Sequence, residues 1–247
     1  MPQTCTTLRP LYETWHSSLS DARRYIKQYI QDGSTDTKEK IRESQTNVKE
    51  ARAKYEAALY EETMFEGEPI IVKDAVFLEY VEREFGVNQY SITGKRLISL
   101  TLLPKTINTR IDFAWCDGLQ ELSLNNATIT NPEQFTFPDG LQWLDLTDAT
   151  ITNPKQLKLP DGLQVLILEN ATITNPEQLK FPDGLKGLNL NRATITNPGD
   201  LRFPDGLKEL YLGGAKTPEP EKESVGYILR DTLTKYEEKN SGVTIYI

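Results

Sequence analysis

A repeat of 22 residues constrains the fold of this sequence more than any other feature. The tripeptide Pro-Asp-Gly, each time followed by Leu, recurs at that interval, with its glycines at Gly140, Gly162, Gly184 and Gly206. A period in this range predicts a solenoid, because one unit cannot bury its own apolar residues and neighbouring units must stack. The frame extends upstream through Cys116-Asp117-Gly118-Leu119. Successive units begin at Leu97, Leu119, Leu141, Leu163, Leu185 and, incomplete, Leu207.

Each unit predicts a strand, one helical turn and a closing turn. In the second unit, Leu122 and Leu124 alternate with polar residues, which predicts a strand with these leucines pointing inward. The segment Asn131-Pro132-Glu133-Gln134 predicts a single 3₁₀ turn, with Asn as the cap and Pro at the first helical position. The segment Pro138-Asp139-Gly140 predicts a tight turn in which Gly140 adopts a positive φ.

The unit LQELSLNNATITNPEQFTFPDG resembles a leucine-rich repeat of the bacterial, 22-residue type, from Leu97 to about Gly214. The resemblance implies an α/β solenoid, a leucine-rich repeat stack whose strands form a parallel sheet on the concave side. The family usually has Asn after the strand, but here that column is Lys105, Ala127, Ala149, Ala171 and Ala193. The backbone groups of this bend need other partners. We expect them among the side chains of two nearby columns: Thr128, Thr150, Thr172 and Thr194, or Asn131, Asn153, Asn175 and Asn197.

Residues 1–66 predict a helical hairpin of the coiled-coil type. Apolar residues recur three or four residues apart, at Leu8, Leu11 or Tyr12, Trp15, Leu19, Ala22, Ile26, and Tyr29 or Ile30. A second helix follows, with Asp36 and Glu39 as a capping box and Ser44 in its apolar stripe. A two-helix hairpin is marginal alone, so we expect it to dock on the repeats, to self-associate or to make a second partner contact.

Both ends of the predicted stack need caps, because they expose leucines and unpaired strand edges. Residues 67–96 predict an N-terminal cap, with a strand at 70–72 and a helix whose inward face carries Val76, Phe77, Tyr80 and Val81. The repeats occupy 97–214. Residues 215–247 predict a C-terminal cap, a closing strand at 243–247 preceded by a helix with Val225, Ile228, Leu229 and Leu233 inward.

Composition disfavours several classes of function. The net charge of −8 argues against nucleic-acid binding, because phosphates attract an excess of Lys and Arg. No apolar run approaches the ~18 residues of a membrane-spanning helix. The N-terminus lacks the layout of a signal peptide, so we expect a cytoplasmic protein or an effector exported without one. With two cysteines and His16 as its one histidine, the chain predicts no metal site and no cofactor.

The outward strand positions differ between units, whereas the turns are nearly identical. Uniform turns with varied strand residues are typical of a binding surface on a repeat scaffold. The apolar residues Trp143, Val165 and Ile167 are predicted to form its centre, inside an acidic rim that favours a basic protein partner. The predicted partner-binding residues are Glu121, Trp143, Asp145, Val165, Ile167, Glu169, Asn189, Glu209 and Tyr211. An alternative is that the N-terminal hairpin covers this patch.

These patterns indicate a non-enzymatic interaction module, an adaptor or bacterial effector that binds a protein on the concave face of the repeat sheet. One alternative is a ubiquitin-ligase-like effector with its activity in the helical region. Bacterial ligases with such repeats use a Cys near an Asp, and Cys116-Asp117 is such a pair, although burial is expected there. A minor alternative is ice binding, because the repeats stack the Thr-x-Thr motif centred on Ile129, Ile151, Ile173 and Ile195.

Overall fold

The computed structural model of the chain describes residues 4–32, 34–103, 106–107, 111–130, 135–151, 157–174, 179–218, 224–240 and 242–247. Its backbone divides into two compact units, Met1–Glu79 and Tyr80–Ile247. The first contains a pair of long helices, and the second is a parallel-strand solenoid.

The first unit begins with the predicted helical hairpin. Helix α1 spans Thr4–Asp32, and helix α2, which packs against it, spans Thr35–Ala58. The strands β1 (Glu62–Phe65) and β2 (Glu68–Ile71) then form an antiparallel pair. Helix α3 (Val72–Glu84) follows and crosses the boundary between the two units.

The predicted start of α2 is wrong by two residues. Its cap is Ser34, whose Oγ accepts a hydrogen bond from the Thr37 amide at 3.1 Å. Asp36 lies inside the first turn instead and pairs with Lys40 at 2.6 Å. Ser34 is the cap because its backbone is extended, with φ −76° and ψ 147°, which is the geometry that a cap requires.

The helix pair follows a heptad pattern more closely than the sequence analysis assumed. On α1 the buried or half-buried positions include Leu8, Leu11, Trp15, Ser18, Ala22, Tyr25 and Tyr29. On α2 they are Thr37, Ile41, Ser44, Val48, Ala51, Tyr55 and Ala58. These spacings alternate between three and four, as in a coiled coil. The prediction that Ile26 belongs to this face is wrong, because Ile26 is 42% exposed, and Ile30 is exposed as well.

Short strands are the most frequent regular elements of the second unit. They are β3 (Val87–Thr93), β4 (Arg96–Leu102), β5 (Thr106–Ile107), β6 (Ile111–Asp112), β7 (Glu121–Ser123), β8 (Thr128–Ile129), β9 (Phe135–Thr136), β10 (Trp143–Asp145), β11 (Thr150–Ile151), β12 (Val165–Ile167), β13 (Thr172–Ile173), β14 (Gly187–Asn189), β15 (Thr194–Ile195), β16 (Glu209–Tyr211) and β17 (Thr244–Tyr246). Two helices, α4 (Val225–Ile228) and α5 (Arg230–Lys239), lie between β16 and β17.

The main sheet confirms the predicted coil. Its eight strands have the order β17-β16-β14-β12-β10-β7-β4-β3, and all are parallel except β3, which is antiparallel to β4. Trp143 pairs with Glu121 on one side and with Val165 on the other, so each coil takes 22 residues. The leucines between the outward positions, such as Leu122, Leu144 and Leu166, are fully buried in the core.

A second parallel sheet was not predicted. It has five strands in the order β15-β13-β11-β8-β5 and pairs Ile151 with Ile129 and with Ile173. The isoleucines are buried and the neighbouring threonines half-buried. Two-residue strands are too short to show an alternating pattern in the sequence, which explains why this sheet escaped prediction.

Backbone hydrogen bonds stabilise the bend that follows each of the strands β7, β10, β12 and β14. The Ala127 amide donates to the Leu124 carbonyl at 3.2 Å, and the Ala127 carbonyl accepts from Thr150 N of the next coil at 3.0 Å. Asn126, which lies in the turn between Leu124 and Ala127, has φ 57°. Ala149, Ala171 and Ala193 make the same two bonds, so both backbone groups of each of these alanines are paired. Of the Asn column, three members lie outside the described residues, and Asn197 makes no side-chain cap bond.

Three of the four turn glycines permit close approach between coils, and none of the four has the predicted positive φ. Gly140, Gly162, Gly184 and Gly206 are absent from the glycines with positive φ. A Cβ at Gly206 would lie 2.7 Å from the Asp183 carbonyl oxygen of the preceding coil. The predicted 3₁₀ turn at 131–134 lies outside the described residues. Its fourth copy forms at Pro198–Asp200, with Pro at its start as expected.

The predicted strand at 70–72 and the helix after it correspond to β2 and α3, but β2 pairs with β1 and not with the main sheet. Strand β3, which was not predicted, forms one edge of the main sheet. At the other edge, β17 pairs in parallel with β16, which agrees with the strand predicted at 243–247. Val225, Leu229 and Leu233 are buried as expected, but Ile228, the last residue of α4, is exposed.

Candidate binding face

The outward positions of the main sheet form two straight rows. The register aligns Ser99, Glu121, Trp143, Val165, Gly187, Glu209 and Thr244 in the first row. It aligns Thr101, Ser123, Asp145, Ile167, Asn189, Tyr211 and Tyr246 in the second. We call the surface formed by these two rows the variable face. Eight of the nine predicted partner-binding residues belong to it, and the ninth, Glu169, lies two residues after the end of β12.

The predicted apolar centre is brought together. Trp143 on β10 is the direct partner of Val165 on β12, and Ile167 lies two residues farther along β12 on the same face. All three side chains are half-buried, so each still presents apolar surface to solvent. This group can contribute a continuous apolar contact.

Two of the predicted polar residues are engaged in local hydrogen bonds. Asp145 is 8% exposed, and its Oδ1 accepts from Thr147 N at 2.9 Å and from Thr147 Oγ1 at 2.6 Å. Asn189 Oδ1 accepts from Asn191 N at 2.9 Å. Both side chains therefore order the bend that follows their own strand. The sequence pattern did not distinguish this role from partner binding.

The acidic rim consists of the glutamates. Glu121 and Glu209 are exposed at the first row. Glu169 is half-buried, and its carboxylate accepts from Asn189 Nδ2 at 3.3 Å and lies 3.8 Å from an Arg192 nitrogen. A side chain whose ion pair is this long and exposed remains available to another cation.

An aromatic pair lies at one end of the variable face, and the sequence analysis predicted only one of its two members. Tyr211 and Tyr246 stack with ring centroids 4.5 Å apart and planes 5° from parallel. The pattern at 243–247 predicted a strand but carried no information on its register against β16, so Tyr246 could not be assigned to this face. Tyr211 OH donates to Glu209 Oε2 at 3.3 Å.

The electrostatics of Tyr211 keep its phenol protonated. Burial raises its pKa, and the Glu209 carboxylate and Tyr246 raise it further. Ionising the phenol would place a second negative charge beside Glu209. At neutral pH Tyr211 is therefore a neutral donor with an aromatic ring.

Two buried polar atoms lie at the opposite end of the variable face. Ser123 Oγ and Asn125 Oδ1 have no hydrogen-bond partner among the residues that the structure describes, and Ser123 is 4% exposed. Leaving such a group unsatisfied costs about 1–3 kcal/mol.

The second sheet aligns threonines in its own row. Thr106, Thr128, Thr150, Thr172 and Thr194 are in register on five neighbouring strands and are half-buried or exposed. This arrangement agrees with the predicted stacking of the Thr-x-Thr motif. A threonine of the motif's other column, Thr130, directs its Oγ1 to the Ile107 carbonyl at 3.4 Å, a weak contact.

The other candidate chemical groups lie elsewhere. Cys116 is fully buried in its turn, as expected. The His16 ring lies 4.1 Å from the Tyr12 ring on α1. The part of the chain that the structure describes contains no group of three or more His, Cys, Asp and Glu residues placed to hold a metal ion. None of its helices is long and apolar enough to cross a membrane.

No protein-family model matches the chain, and comparison with curated proteins finds no significant match.

Proposed function

We propose that this chain is a leucine-rich repeat protein that binds a protein partner on its variable face and performs no chemistry itself. The observation that carries the proposal is the register that makes Trp143 the direct neighbour of Val165 on one sheet face, with Ile167 beside them. A half-buried apolar centre with charged residues around it is the usual anatomy of a protein interface.

The distribution of sequence variation supports the same surface. The turns and the buried Leu, Ala and Ile columns repeat almost unchanged from coil to coil. The two rows of the variable face change residue type in nearly every coil. Packing and close approach account for the constant positions, but the fold places no such demand on most of the outward ones. Binding specificity is then the simplest cause of their variety.

The charge of the variable face favours a basic partner. Glu121, Glu169 and Glu209 surround the apolar centre, and the chain carries a net charge of −8. Complementary charge accelerates encounter and selects among partners. The proposed role is that of an adaptor or a bacterial effector that holds a basic protein against a rigid sheet.

Replacing Trp143 by Ala tests this function. A partner is first recovered by affinity purification on the immobilised chain, and its dissociation constant is then measured for purified components. A central aromatic anchor contributes about 2–4 kcal/mol, so the variant is expected to bind roughly 30-fold or more weakly. The control is Tyr60→Ala, which removes an exposed aromatic residue far from this face in the sequence. Equal affinities of wild type and Trp143→Ala, with unchanged melting temperature, would contradict the proposal.

Ice binding has one observation in its favour, the threonine row of the second sheet. The row extends over five strands, and regularly spaced hydroxyl groups could order water. Thermal hysteresis of the purified chain decides this alternative. A hysteresis that is abolished by Thr150→Tyr and preserved in Trp143→Ala would assign the function to the second sheet instead of the variable face.

A further inference from the structure

Gly187 interrupts the first row of the variable face. The register places it between Val165 on β12 and Glu209 on β16. The equivalent positions of the other strands carry Ser99, Glu121, Trp143, Val165, Glu209 and Thr244, each with a side chain. The row therefore has one gap, and the gap adjoins the apolar centre.

Neither backbone conformation nor packing requires a glycine at this position. Gly187 is not among the glycines with positive φ. A Cβ built on it would lie 3.7 Å from Val165 Cγ2, which is an ordinary van der Waals distance. Glycine inside a strand weakens it, and it often marks a place where another molecule approaches closely. The glycine therefore weakens strand β14 without a packing benefit, and binding of a partner would account for it.

The gap is a notch with two unlike walls. Val165, half-buried, forms the apolar wall, and Glu209, exposed, forms the acidic wall. Neighbouring strands lie about 4.8 Å apart, so the two walls are separated by roughly 10 Å at the backbone. This width admits one extended side chain lying across the sheet.

Tyr211 adds an aromatic surface to the acidic wall. One face of its ring is covered by Tyr246, which lies on β17. On its other side, the register places Asn189 of β14 beside Tyr211, two residues along the strand from Gly187, which is the partner of Glu209. The hydrogen bond from Tyr211 OH to Glu209 Oε2 holds the phenol and the carboxylate together.

We propose that the notch at Gly187 receives an arginine side chain of the protein partner. Its aliphatic stem lies against Val165, and its guanidinium group pairs with Glu209 beside the Tyr211 ring, which is hydrogen-bonded to the same carboxylate. Arginine fits better than lysine because its planar cation both stacks on an aromatic ring and forms paired hydrogen bonds with a carboxylate. This inference rests on the proposed function, since it specifies the chemistry of the partner on the same face.

A peptide screen followed by notch variants tests the inference. The immobilised full chain selects binders from a phage-displayed library of random dodecapeptides, and the selected peptides are synthesised. Their dissociation constants are measured by fluorescence anisotropy for wild type, Gly187→Leu and Glu209→Gln. The matched control is Gly199→Leu, because a Cβ at Gly199 meets nothing within 4 Å and this glycine lies outside the sheet. Gly187→Ser serves as a milder variant if Leu lowers the melting temperature.

We expect the selected peptides to share an arginine. Replacing that arginine by norleucine, or Gly187 by Leu, should weaken binding about tenfold or more, the loss typical of an interface anchor. Lysine in place of the arginine should restore only part of the affinity. Glu209→Gln should weaken binding about threefold and reduce its dependence on salt. Gly199→Leu should bind as wild type does.

Three results would overturn the arginine notch: a screen without binders, binders without a shared arginine, or binders for which Gly187→Leu and Gly187→Ser equal wild type. The Trp143→Ala variant separates this failure from that of the proposed function. Peptides that bind Trp143→Ala more weakly, but bind the variants at position 187 as tightly as wild type, would still support the variable face as a binding surface. Peptides indifferent to both substitutions would contradict the two proposals together.

Discussion

At the scale of single residues, backbone contacts between coils explain which positions of the repeat cannot change. The turn glycines Gly162, Gly184 and Gly206 lie close to a carbonyl oxygen of the preceding coil, and the bend alanine bonds to backbone atoms of its own coil and of the next. The sequence showed that both residues recur, but it suggested the wrong reason for the glycine. A recurring glycine is compatible with a positive φ and with close approach, and only coordinates distinguish them.

Replacing Gly206 by Ala tests the close-approach explanation. The new Cβ would lie 2.7 Å from the Asp183 carbonyl oxygen, and neither backbone can easily move within a stacked coil. Overpacking of this kind costs about 1–3 kcal/mol in the free energy of unfolding. Gly140→Ala is the matched control, because the equivalent distance there is 3.6 Å, and it should be nearly neutral. Urea denaturation measures both, and equal losses would contradict the explanation.

At the scale of elements, the sequence predicted long or strongly periodic segments and missed short ones. The helix pair and the main parallel sheet followed from apolar spacing, as did the closing strand at 243–247. The second sheet was not predicted because each of its strands has only two residues. Tyr246 was not assigned to the variable face because the register of its strand depends on the neighbouring strand. Helix α2 was predicted, but its cap was placed at Asp36 instead of Ser34.

The start of α2 supplies a prediction at this scale. Ser34→Ala removes the acceptor for the Thr37 amide and should destabilise the first turn of α2 by about 1 kcal/mol. Asp36→Ala removes only an exposed ion pair with Lys40 and should cost less, about 0.3–0.5 kcal/mol. Hydrogen exchange of peptides covering residues 34–45 reports the opening of this turn. Faster exchange in Asp36→Ala than in Ser34→Ala would support Asp36 as the cap of α2 and contradict the assignment of Ser34.

At the scale of the whole molecule, stacking of the coils brings equivalent residues of successive repeats onto one surface. Residues 22 apart in sequence become neighbours on one sheet face, which is why the candidate site could be proposed before its geometry was known. The sequence could not show that Asp145 and Asn189 are engaged in the bends, because those hydrogen bonds depend on rotamers. The 22-residue repeat already aligned Gly187 with Val165 and Glu209, and the register confirms this alignment.

The net charge of −8 gives a prediction for association with the basic partner. Charge attraction accelerates encounter, and salt screens it over about 10 Å at 0.1 M. Raising the ionic strength from about 0.05 to 0.5 M should therefore slow association about tenfold while changing dissociation little. Surface plasmon resonance measures both rates. An association rate that is independent of salt would rule out the acidic rim as a determinant of partner choice.

The contact surface itself can be mapped by photo-crosslinking. The photoreactive residue benzoylphenylalanine is introduced at the exposed positions Glu121 and Glu209 of the variable face and, as controls, at the exposed positions Thr136 and Lys158 of the same unit. The complex with the purified partner is then irradiated, and the covalent adducts are quantified by mass spectrometry. Adducts from positions 121 and 209, with little or none from 136 and 158, are the expected result. Adducts from the control positions alone would contradict the account.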